Sequence, residues 1–168
     1  MKYAIAFLAG FLLIVLDCGF LPKIFGVAFS LAYAWCVAFG MEDSPINGTY
    51  CAAFCGLMMD ILVGPRVGYY AVTYLIAVFA TTSIYRRLFQ DSILFIGVTA
   101  CVGYLLMGLL QYLIAFILGA RTENIFLIML RFVLPSALVT GALTVPVYVL
   151  MSIAFRKGRF HRNTRGGF

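Results

Sequence analysis

ILFIGVTACVGYLLMGLLQYLIAFILG, residues 93–119, carries no charged side chain and a single amide, Gln111. As a helix, a run of this length and composition crosses the ~30 Å hydrocarbon layer of a bilayer. It has no polar face of the kind a surface helix of a soluble domain needs. Outward from it the same texture recurs at residues 3–20, 24–40, 50–63, 68–85 and 132–155, with the polar residues gathered in the short intervals between.

Across the 168 residues, 64% are hydrophobic and 11% charged, with a mean hydropathy of +1.06, whereas an average soluble domain is about half apolar and a quarter charged. The six runs predict an all-α integral membrane protein: a bundle of six transmembrane helices over residues 1–155, then a basic cytoplasmic tail over 156–168. The third run is the short one, since its 14 residues extend only about 21 Å at the helical rise. Gly64 and Pro65 follow it, a common way to end a helix. Arg66, Val67 and Gly68 complete a tight connection, so the third and fourth runs should form an antiparallel hairpin.

Met1 and Lys2 ahead of the first run resemble the start of a signal peptide, but no A-x-A site follows. In Leu16-Asp17-Cys18-Gly19 the aspartate stands where a lipoprotein box needs a small residue, so the run reads as an uncleaved first span. Six spans with the N-terminus inside place eight of the twelve basic residues in the cytoplasm, Lys2, Arg86, Arg87, Arg156, Lys157, Arg159, Arg162 and Arg165, and four outside, Lys23, Arg66, Arg121 and Arg131. That asymmetry favours both termini inside; five spans would separate them. The basic tail fits anionic lipid headgroups better than nucleic acid, because no folded reader domain accompanies it.

The chemistry available to an enzyme is thin. The one histidine, His161, lies in the tail, the spans hold no glutamate, and Asp17 and Asp60 are the carboxylates within them, a conceivable acid pair. Cys18, Cys36, Cys51, Cys55 and Cys101 form no CxxC pair and read as small apolar packing residues. Cys51 and Cys55 would share a helix face and hold a soft metal only if other ligands converged there.

A buried charge needs a reason, because it costs about 2.5–3.5 kcal/mol near the bilayer centre even on lenient scales. Asp60 should sit near the outer interface with Arg131 as its expected partner, since Arg66 in the turn is solvated. The alternative is that Asp60 caps or snorkels there. Gly56, Gly64 and Gly68 suit close helix approach. Pro135 and Pro146 should bend or open the last span, with Ser136, Thr140 and Thr144 available to the freed carbonyls.

GLMMDILVGPRVG, residues 56–68, followed by Tyr69-Tyr70-Ala71, resembles the signature of the bacterial rod shape-determining protein MreD family: a glycine, an apolar stretch ending in aspartate, then a small or proline-containing turn and a glycine. Arg131-Phe132-Val133-Leu134-Pro135-Ser136, with Pro146 eleven residues beyond Pro135, is similar to the family's final-helix pattern. The resemblance marks Gly56, Asp60, Gly64, Pro65, Gly68, Arg131, Pro135 and Pro146 as structural or partner-contact positions. It implies a non-enzymatic inner-membrane component of the cell-elongation machinery that works by binding the bitopic protein MreC. Links to the cytoskeletal protein MreB, the glycan polymerase RodA and its transpeptidase partner are implied too, with membrane lipid around it and no cofactor, metal or nucleic acid. The family's helical arrangement is similar to the substrate-binding subunits of energy-coupling-factor transporters, so vitamin capture is the alternative function. Short outer loops with few polar side chains speak against it.

Overall fold

The structure, a computed structural model, describes residues 2–19, 30–63, 68–88, 93–119 and 129–163. Gly64, Pro65 and Arg66 of the expected turn lie outside the described residues. Those described form helices α1 (Lys2–Gly19), α2 (Leu31–Glu42), α3 (Pro45–Leu62), α4 (Tyr69–Leu88), α5 (Ile93–Ile117) and α6 (Leu134–Asn163), with a π-helical turn, Met129–Val133, leading into α6. There is no strand among them. Two segments, Phe95–Ile117 and Arg131–Ile153, are long and apolar enough to cross a membrane.

The third helix is not the short one. α3 has 18 residues, about 27 Å, because it starts at Pro45, five residues ahead of the apolar run. Proline is well placed in a first turn, where its missing N–H has no helical acceptor to lose. The polar residues there are satisfied locally: Asn47 Nδ2 donates to Asp43 at 2.5 Å and Thr49 Oγ1 to the Pro45 carbonyl at 2.7 Å. Polar first-turn residues end an apolar run without ending a helix.

The shortest helix is α2, with 12 residues, nine of them buried. It packs against all five others and forms the centre of the bundle, while α3 pairs with α4, α4 with α5, and α5 with α6 around it. Small residues permit this closeness: a Cβ on Gly56 of α3 would lie 2.5 Å from the Ala71 Cα of α4, so the two backbones are in direct contact, as the hairpin requires.

Cross-bundle hydrogen bonds fix the helix directions. Tyr69 Oη, at the start of α4, donates to the Gln111 carbonyl late in α5 at 2.8 Å. The Ser30 N–H, just before α2, donates to Thr140 Oγ1 in α6 at 3.4 Å. Arg86 Nη2, near the end of α4, donates to the Asp43 carbonyl between α2 and α3 at 2.7 Å. Asp17 near the end of α1 accepts from the Leu31 and Ala32 N–H groups, and Asp60 near the end of α3 from those of Gly68 and Tyr70. The ends of α1 and α3 therefore share one end of the bundle with the starts of α2 and α4. The start of α1 and the end of α6 lie toward the other. α6 continues to Asn163, so the first half of the basic segment extends that helix.

Candidate functional site

Asp60 stands in the last turn of α3, two residues before its end, and is 3% exposed. Its carboxylate accepts from the backbone N–H groups of Gly68 at 2.9 Å and Ala71 at 3.1 Å through Oδ2, and from Tyr70 at 2.7 Å through Oδ1. The first N–H groups of a helix have no partner within it and carry the positive end of its dipole. Asp60 supplies the acceptors for α4 from the neighbouring helix. Gly68, the last residue before α4, has φ +97°, a left-handed conformation that glycine adopts without strain, and so can turn its own N–H onto the carboxylate.

This corrects the expected ion pair. Arg131 lies in the π-helical turn, exposed, and makes no ion pair with Asp60. The three N–H groups already meet the carboxylate's need for donors, which leaves a guanidinium little to add. Of the family-motif positions, the structure brings Gly56, Asp60 and Gly68 together and leaves Arg131 apart.

Asp17 repeats the arrangement at α2. It is 5% exposed and accepts from the N–H groups of Leu31 at 3.0 Å and Ala32 at 2.9 Å and from Ser30 Oγ at 3.0 Å. Ser30 gives its one proton to Asp17, so Tyr74 Oη of α4, 2.8 Å away, donates to Ser30 Oγ. Ser30 Oγ also takes the Tyr33 N–H at 3.2 Å as an N-cap. With the Ser30 N–H on Thr140 Oγ1, this cluster joins α1, α2, α4 and α6. Cys18 beside Asp17 and Met59 beside Asp60 touch through their sulfurs at 3.3 Å; the two caps therefore sit side by side.

Deeper in the bundle, Thr81 donates to the Ala77 carbonyl at 2.6 Å, so Tyr33 Oη, 3.1 Å from Thr81 Oγ1, is the donor of that pair. The Tyr33 ring meets Tyr74 and Tyr104 edge-to-face, with centroids at 6.0 and 5.5 Å. Every buried side-chain nitrogen or oxygen among the described residues has a hydrogen-bond partner. Asp17 appears in the sequence as a carboxylate in an apolar run, but Ser30, Tyr74 and Thr140 carry no such mark.

Pro135 follows the π-helical turn, and Pro146 lies inside a helix that continues past it. A proline cannot donate to the carbonyl four residues back, and the opening expected near Pro135 takes the form of this widened turn. Ser136 and Thr144 bond the Phe132 and Thr140 carbonyls at 2.6 and 2.7 Å. The carbonyls that Pro135 and Pro146 leave free belong to Arg131 and Ala142, so those hydroxyls do not serve them as expected.

Two grooves flank α5. One, of about 270 Å³, lies against α4 and is lined by Ala80, Thr81, Ile84, Phe95, Val98 and neighbours. The other, of about 420 Å³, lies against α6 between Gly97, Cys101, Leu138 and Val145. The hydroxyls at the first, Thr81 and Thr99, are bonded to carbonyls of their own helices. Elsewhere, α2 brings Cys36 to the face of α3 that carries Cys51 and Cys55, an arrangement the sequence did not reveal.

No protein-family model, curated protein or solved structure matches this chain.

Proposed function

We propose that this chain is a non-enzymatic scaffold of the bacterial cell-elongation machinery, held in the inner membrane by six spans with both termini in the cytoplasm, and working through contact with MreC. MreB, RodA and its transpeptidase partner would be reached through that contact. The observation that carries the reading is the use to which Asp60 is put. The aspartate at the heart of the motif that resembles the MreD signature ties α3 to α4 by three backbone hydrogen bonds, and Gly56 and Gly68 have backbone reasons for being glycine. The motif thus acts as a latch that sets the shape of a docking surface, with its polar groups spent on the fold.

A bilayer around the bundle accounts for its outer faces. Leu8, Ile61, Ile117 and Leu150 are each more than two-thirds exposed, with Val72, Phe79, Val98 and Leu138 open beside them. Contiguous apolar surface on this scale has no stable place in water. With the start of α1 and the end of α6 toward the same end of the bundle, one cytoplasmic side receives both Lys2 and the basic segment, in keeping with the positive-inside rule.

Vitamin capture needs a cavity where several polar groups converge on a ligand. The grooves beside α5 are walled by apolar and small side chains, Phe95 the one aromatic among them, and the hydroxyls there are already engaged, which favours helix or lipid contacts. Depleting the protein in a rod-shaped bacterium should give rounded cells. Unchanged shape together with a vitamin requirement would overturn the proposal.

A further inference from the structure

Cys36 of α2 and Cys51 and Cys55 of α3 are fully buried, and their three sulfurs all lie within 4.8 Å of one another. Cys36 donates to Cys51 Sγ at 3.8 Å, and all three are free thiols. Three sulfurs arranged trigonally around a metal at ~2.3 Å stand about 4.0 Å apart. The thiols therefore lie within about 0.8 Å of the spacing of a trigonal sulfur site. Gly10 of α1 lies over them: a Cβ there would meet Cys55 Sγ at 2.9 Å and Cys51 Sγ at 3.9 Å. The missing side chain leaves the sulfurs room on that side.

We propose that Cys36, Cys51 and Cys55 form a three-coordinate site for monovalent copper, clamping α2 to α3 beneath α1. The ligand set selects the metal. Thiolates prefer soft ions such as copper(I) and zinc, but a structural zinc site takes four ligands in a tetrahedron. Among the described residues, no histidine, carboxylate or fourth thiol joins the three. Copper(I) is content with three sulfurs. Binding converts two thiols to thiolates and keeps the third as a neutral ligand: Cu⁺ plus three RSH gives a complex of net charge −1 and two protons. No electron transfer is involved, and a single residual charge limits the cost of burial. The site is independent of the scaffold reading and stands or falls separately.

The test uses the full-length chain, purified in detergent, reduced and kept free of oxygen, with copper(I) presented as its bicinchoninate complex. One copper per chain should leave the chelator, with a near-ultraviolet thiolate-to-copper band. Cys36→Ser, Cys51→Ser and Cys55→Ser should each weaken binding by more than the ~10–100-fold that loss of a mere outer-shell group costs. Cys101→Ser, in α5 outside the cluster, should leave it unchanged. Copper X-ray absorption on the wild-type chain needs no variant to fold, and should find three sulfurs at roughly 2.3 Å. Failure to take copper from the chelator would overturn the site. So would a copper shell containing nitrogen or oxygen, tighter binding of zinc(II) than of copper(I), or loss of binding in Cys18→Ser with the three cluster variants unaffected.

Discussion

Replacing Asp60 by asparagine separates the two accounts of this carboxylate. In the structure Oδ2 serves Gly68 and Ala71 while Oδ1 serves Tyr70. Asparagine has one acceptor oxygen; placed at the Oδ2 position, it keeps two bonds and turns its NH₂ toward the Tyr70 N–H. One buried donor is then unmet, at a cost of ~1–3 kcal/mol. Taking about 2 kcal/mol, and ~2–4 °C per kcal/mol for a chain of this size, Asp60→Asn should lower the melting temperature by about 4–8 °C. Arg131→Gln, at an exposed position, should change stability by no more than ~0.5 kcal/mol. The double variant should equal the sum within ~0.5 kcal/mol, as for sites without shared partners. Thermal unfolding in detergent, followed by the fluorescence of the one tryptophan, Trp35, provides the readout. A coupling above about 1 kcal/mol would show that the carboxylate leans on the guanidinium, and would refute the cap.

Gly68→Ala should cost about 1 kcal/mol or more through its positive φ alone, because nothing lies within 4 Å of the added carbon; an unchanged melting temperature would count against the turn. Gly56→Ala forces α3 away from the Ala71 backbone and should destabilise by ~1–3 kcal/mol, readable in the same assay. Ser30→Ala and Tyr74→Phe share one hydrogen bond and should couple by ~0.5–3 kcal/mol in a double-mutant cycle, whereas independent effects would disprove the cluster.

The apolar runs made the helices legible, and the Gly64-Pro65 punctuation made the hairpin so. Asp60 stood out because a carboxylate in such a run needs partners, and Asp17 only as the other half of a conceivable acid pair. Their partners were hidden for a physical reason. An unmatched charge prompts a search for its opposite, whereas the donors here are main-chain N–H groups, which any sequence supplies wherever a helix begins. α3 starts ahead of its apolar run because Asn47 is satisfied by Asp43 just before the helix and Thr49 by the Pro45 carbonyl. Cys36 could not be joined to Cys51 and Cys55 from spacing, since their meeting depends on how α2 is rotated against α3.

What leaves the membrane with this chain is the most direct measure of its role. Full-length protein, tagged and purified from its native membrane in mild detergent, should bring with it a single-span protein bearing a large external coiled-coil domain. A tightly held vitamin-sized molecule, with no such protein alongside it, would contradict the scaffold.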